Sequence, residues 1–229
     1  MRTHKWSEIK KKTKNYTDIT ILLDRSGSMS SIKEKVESGF KEFFLEHQKN
    51  PSTRVSLVQF NSVHRYDPVF TNLPVTAVEG LDLKPEGGTP LIDAFVKTID
   101  ETGARLSRLD EKDRPSRVLF VVITDGEENA SVLHTKKDVS DRVNHQRDRY
   151  NWQFIYLGAN QDAIREASQY GIWAANSGTF SGVEAYSAMQ LLGTKTSSYA
   201  ADGNIRSLTY TDDERDTLVG KNKTKAATP

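Results

Sequence analysis

Residues 118–123, Val-Leu-Phe-Val-Val-Ile, are apolar at every position, and this run constrains the fold more than any other stretch of the chain. A strand with one wet face alternates apolar and polar residues. A strand that does not alternate has both faces covered, which marks the centre of a parallel sheet clad in helices. A second run of this kind begins at Asp18 and carries Ile19, Ile21, Leu22 and Leu23. Both runs stop abruptly at polar residues, the run from Asp18 at Asp24 and the run 118–123 at Thr124-Asp125. Strands alternate with helical patterns along the rest of the chain. The expected class is therefore α/β, a doubly wound and mainly parallel sheet with one antiparallel edge strand and helices on both faces. The two apolar runs are expected to be parallel neighbours at its centre.

The helical patterns are explicit. After the run ending at Leu23, Ile32, Val36, Phe40, Phe43, Phe44 and His47 recur at helical spacing, and Ser30 or Ser31 stands where an N-cap would. Residues 54–61 read as a second strand. Residues 63–70 contain Pro68 and read as an antiparallel edge strand. Pro90 opens a helix whose buried stripe is Leu91, Ile92, Phe95, Val96, Ile99 and Leu106. Residues 135–150 predict a polar helix with Val139 and Val143 inward, 152–157 a strand, and 172–175 a last short strand. Trp152, Phe154 and Trp173 are expected to pack in the core or between helices and sheet. Ser181 with Glu184, and Thr211 with Glu214, have the spacing of capping boxes. Residues 194–203 look like a polar linker, so truncation near Thr194 is expected to leave the fold intact. The expected organisation is a basic polar leader over 1–16, one domain over 17–193, and a linker, short helix and disordered tail over 194–229.

Composition excludes several function classes. The 229 residues include no cysteine, which removes disulfides, thiolate catalysis and zinc–thiolate sites together. The net charge is +1, so no global field favours nucleic acid, and Lys10, Lys11, Lys12 and Lys14 read as a solvated leader. No apolar run approaches a membrane span and no signal-peptide core precedes the first strand. Membranes and nucleic acid are not expected as partners. The expected setting is the cytoplasm or a particle assembled there.

Three loops offer oxygen ligands: Asp24, Ser26 and Ser28 after the first strand, Thr89 in the Gly87-Gly88-Thr89-Pro90 loop, and Asp125 after the central strand. Each lies at the carboxyl-end edge of the sheet or in a loop able to reach it, which is where open α/β sheets bind ligands. Two carboxylates and three hydroxyls make a hard, oxygen-only set suited to Mg²⁺ or Mn²⁺. The hydroxyls add no charge, so such an ion would remain electrophilic. Enzyme patterns fail on particular residues. Ser26 stands where a haloacid-dehalogenase phosphatase needs its second acid, and Asp24 where a hydrolase elbow needs glycine. There is no P-loop, and the five histidines show no metal spacing. Glu127 and Glu128 read as solvated loop charges and His134 as a surface residue.

Asp24-x-Ser26-x-Ser28, Thr89 and Asp125, each in its place between strand and helix, resemble the metal-ion-dependent adhesion site of the von Willebrand factor type A (VWA) domain. The resemblance covers roughly residues 18–175. It implies a VWA fold, a Mg²⁺ or Mn²⁺ ion held by those five residues, and a non-enzymatic role in binding a partner protein through its Asp or Glu carboxylate. The Gly87-Gly88 hinge would let Thr89 shift between direct and water-mediated contact. The loop Gly158-Ala-Asn-Gln-Asp162 is similar to stand-alone VWA proteins of bacteria and phages, which implies an AAA+ ATPase or a multi-protein complex as companion. A structural component of a virion or large complex, and a metal-assisted hydrolase, are the alternative readings.

Overall fold

The computed structural model describes residues 14–50, 52–160 and 162–221. Lys10, Lys11 and Lys12 of the expected leader, and 222–229 of the expected disordered tail at 221–229, lie outside the described residues. Six strands form one sheet in the order β3-β2-β1-β4-β5-β6. They are β1 (Lys14–Asp24), β2 (Thr53–Phe60), β3 (Asp67–Pro74), β4 (Pro115–Thr124), β5 (Gln153–Ala159) and β6 (Ser177–Phe180). Only β3 runs antiparallel to its neighbour. The two apolar runs are central and parallel as expected, with Ile19 opposite Leu119 and Leu23 opposite Ile123.

Alternate residues of these strands feed two cores. Ile19, Ile21, Leu23, Leu119, Val121 and Ile123 meet one layer of helices: α1 (Lys33–Gln48), α5 (Ala185–Asp202) and α6 (Asp212–Leu218). Leu22, Phe120 and Val122 meet the other: α2 (Leu91–Ser107), α3 (Lys136–Tyr150) and α4 (Ala163–Gln169). Phe40, Phe43 and Phe44 of α1 are buried and pack on one another with ring centroids 5.4–5.8 Å apart. Each such side chain contributes about 2 kcal/mol by leaving water. Across the sheet, Asp18 is buried within β1 and takes a bidentate pair of 2.8 Å bonds from Arg105 of α2. No described helix is long and apolar enough to cross a membrane.

The expected linker at 194–203 is not there. α5 continues to Asp202 and ends on Gly203 at φ +73°. Its polar second half still packs, because its polar groups find partners. Thr196 bonds to His47 at 2.8 Å and back to the Leu192 carbonyl at 2.7 Å, while buried Lys195 pairs with both Glu214 oxygens at 2.8 Å. Leu208, Tyr210 and Leu218 beyond it belong to the core. α1 and α5 approach closely through two glycines: a Cβ on Gly39 would sit 2.6 Å from the Met189 Cβ, and one on Gly193 2.9 Å from the Phe43 Cα.

Smaller departures have local causes. β1 begins at Lys14, inside the expected leader, because Lys14 pairs with Pro115. The last strand is Ser177–Phe180 rather than 172–175, since Ile172 is drawn into the core and Ala174–Asn176 makes a 3₁₀ turn. Ser30 and Ser31 do not cap α1. A 3₁₀ turn over Gly27–Ser31 intervenes, and their hydroxyls donate to the Gly27 and Ser28 carbonyls. The Ser181 box is likewise displaced by a 3₁₀ turn over Gly182–Glu184, whereas the Thr211 box forms as expected. Trp173 is half exposed, with the Arg147 guanidinium 5.1 Å from its ring centre, while Trp152 and Phe154 are buried.

Candidate metal centre

β1 and β4 end side by side, so their terminal residues share one edge of the sheet. Asp24 is fully buried there. Its Oδ1 accepts the Ser26 amide at 2.7 Å and its Oδ2 accepts the Thr124 hydroxyl at 2.6 Å. Ser26 and Ser28 are bonded oxygen to oxygen at 3.0 Å, and Ser28 donates to Asp125 Oδ1 at 2.6 Å. Thr89 is buried as well. Gly126 shows how closely these atoms converge. A Cβ built on it would lie 3.1 Å from Thr89 Oγ1, 3.5 Å from Ser28 Oγ and 3.9 Å from Asp24 Oδ2. The structure thus gathers Thr89, Ser28 and Asp24 around a point that a single methyl group would crowd, and hydrogen bonds tie Ser26 and Asp125 to Ser28 beside it.

The centre has a buried floor and an open mouth. Asp24, Ser26 and Thr89 are buried, Asp125 is half-buried and Ser28 is exposed. Burial pushes the Asp24 carboxyl up to about 6, against the lowering effect of the Thr124 and Ser26 hydrogen bonds, and nearby Asp125 adds to the rise. Burial also raises Asp125, although the Ser28 bond opposes it. Two carboxylates that are costly to ionise side by side favour a cation between them. Among the described residues no three His, Cys, Asp or Glu side chains gather. The donor set therefore depends on its hydroxyls, and an all-oxygen set of carboxylates and hydroxyls fits Mg²⁺ or Mn²⁺.

Sequence reasoning missed the surrounding shell. Thr124 serves Asp24, as above. Glu128 is no solvated charge: its carboxylate accepts the amides of Ile92, Ala130 and Ser131 and the Ser131 hydroxyl, all within 2.9 Å. Asp93 accepts the amides of Val132, Leu133 and His134. Buried Arg25, next to Asp24, pairs with Asp67 at 2.9 Å. An acidic residue in the first turn of α2 was the one visible signal, pointing to a helix start and not to the loop it holds.

Comparison with known proteins agrees with this fold. No curated protein matches the chain by sequence. Among solved structures, proximal thread matrix protein 1 from the mussel byssus superposes with a TM-score of 0.57 at 16% identity, covering 78% of this chain and 47% of that one. A von Willebrand factor type A protein from Catenulispora acidiphila gives 0.54 at 14%, covering 80% and 43%. The pilus adhesin SpaC from Lactobacillus rhamnosus GG gives 0.59 at 14%, covering 82% and 32%. The chain thus spans less than half the length of each. The family model of the von Willebrand factor type A domain matches residues 18–194, and the chain belongs to that family.

Proposed function

We propose that the chain is a non-enzymatic, metal-dependent protein-interaction module. Asp24, Ser26, Ser28, Thr89 and Asp125 would hold one Mg²⁺ or Mn²⁺ ion. The ion, when bound, supplies an under-neutralised positive charge to which an Asp or Glu carboxylate of a partner protein can bond. The convergence of the Thr89, Ser28 and Asp24 oxygens on the space beside Gly126, with Ser26 and Asp125 hydrogen-bonded to Ser28, carries this reading. Asp24 and Asp125 provide the charge, the hydroxyls fill out the shell, and the exposed Ser28 side leaves the mouth accessible to a partner.

A protein partner is favoured over a small substrate by the rim. The four most exposed large apolar side chains among the described residues are Leu133 (73%), Val132 (72%), Val183 (71%) and Val63 (59%). Val63 follows β2, Val132 and Leu133 follow β4, and Val183 lies in the 3₁₀ turn after β6, all on the carboxyl-end edge that holds the centre. Large exposed aliphatics along the edge that holds a site suit contact with a protein. A cytoplasmic setting belongs to the same proposal. The test is a random-peptide library panned on the immobilised chain in millimolar Mg²⁺ and eluted with a chelator. The expected peptides share an Asp or Glu whose amide variant no longer binds. Peptides that stay bound in chelator, or that carry no acid, would overturn the reading.

A further inference from the structure

α2 begins without a cap of its own. Pro90 stands at its N-cap position and makes no side-chain hydrogen bond, which leaves the first amides of the helix in need of acceptors. Those acceptors come from the loop that follows Asp125. Glu128 Oε2 takes the Ile92 amide at 2.8 Å, and Ser131 Oγ takes the Asp93 amide at 3.0 Å. Asn129 forms a reciprocal pair with Thr89, accepting its amide at 2.9 Å and donating its own amide to the Thr89 carbonyl at 3.1 Å. In return the Asp93 carboxylate takes the amides of Val132, Leu133 and His134 at 2.9–3.1 Å.

The glycines before Thr89 are held as well. The Gly87 carbonyl accepts the Gly27 amide at 2.9 Å, and Gly88 exchanges bonds with Ser62 through both its amide and its carbonyl. Every segment that contributes an oxygen to the centre is therefore bonded to another such segment or to its immediate neighbour. The expected Gly87-Gly88 hinge is tied on both sides.

We infer that Asn129, Glu128 and Asp93 are positioning residues which lock Thr89 to the Asp125 loop, so that a cation enters a preformed centre with no movement of Thr89. This rests on the cation site proposed above. The physical gain is that the ordering cost is met during folding and not at binding. Outer residues that orient metal ligands are typically worth about 10–100-fold in metal affinity, and the same scale is expected here.

The experiment uses the full chain with two readouts: amide hydrogen exchange by NMR without metal, and Mn²⁺ affinity by electron paramagnetic resonance. In the metal-free wild type the Thr89, Ile92 and Asp93 amides should already be protected, and Mg²⁺ should change their rates less than about threefold. Asn129→Ala and Glu128→Gln should keep the wild-type circular dichroism spectrum, expose the Thr89 or Ile92 amide, and weaken Mn²⁺ binding about tenfold. Amides that become protected only when Mg²⁺ is added would overturn the inference. So would variants that fold and bind Mn²⁺ as tightly as wild type. If wild type binds no Mn²⁺, the cation reading fails, and the metal-free exchange rates alone decide whether the lock exists.

Discussion

Thr124 Oγ1 donates to Asp24 Oδ2 across 2.6 Å, joining the last residues of two neighbouring parallel strands at the floor of the centre. The register that sets Leu23 opposite Ile123 places these two residues level, so a side-chain bond between strands continues the ladder one step beyond the backbone. Thr124→Val keeps the shape and removes the donor. A buried carboxylate that loses a charge-assisted bond costs about 2 kcal/mol, and urea unfolding in chelator should show a loss of that size.

Gly126→Ala should separate folding from ion binding. Its Cβ would enter the space shared by Thr89, Ser28 and Asp24, 3.1 Å from the nearest oxygen, while the half-buried loop keeps its backbone. The expected result is a thermal midpoint close to wild type with Mn²⁺ binding lost or weakened by at least about tenfold. Unchanged affinity would place the ion elsewhere.

His47 predicts an acid sensitivity. Burial lowers its imidazole from 6.5 to about 3, so the folded chain keeps it neutral while the unfolded chain protonates it. Stability is fully present above pH 6.5 and is lost as pH falls toward 3, because the unfolded state binds the extra proton. The loss at pH 5 is about 2 kcal/mol. His47→Leu should flatten that part of the pH profile of unfolding; an unchanged profile would contradict the assignment.

Arg105→Ala would leave Asp18 buried without its bidentate partner. Removing one member of a buried pair costs about 3–5 kcal/mol, a loss that chemical denaturation should show.

Truncation after residue 193 is now expected to abolish cooperative unfolding, against the reading of 194–203 as a linker. The deleted segment contains buried Thr196, Tyr199, Ala200, Leu208 and Leu218 and the Lys195–Glu214 pair. A truncated chain with a sharp wild-type transition would show the C-terminal helices to be dispensable.

The contrast between these regions explains what was legible in the sequence. The unbroken apolar runs of β1 and β4 declare themselves because burial on both faces leaves no room for polar residues, and the five oxygen donors follow at their ends. The second half of α5 hides because its buried face is written in Lys195, Thr196 and Ser197, which look solvated until His47 and Glu214 are set beside them. Glu128 and Asp93 hide for a similar reason. Their partners are backbone amides, which have no sequence signature, and the fold alone brings the two loops together.

Titration with Mn²⁺ followed by electron paramagnetic resonance decides whether these five oxygen-bearing side chains form one cation site. The wild-type chain should take up one Mn²⁺ that Mg²⁺ displaces, and Asp24→Ala and Asp125→Ala should each abolish uptake while remaining folded. Wild-type protein that leaves the free Mn²⁺ signal undiminished, or an Asp24→Ala variant that binds the ion as well as wild type, would contradict it.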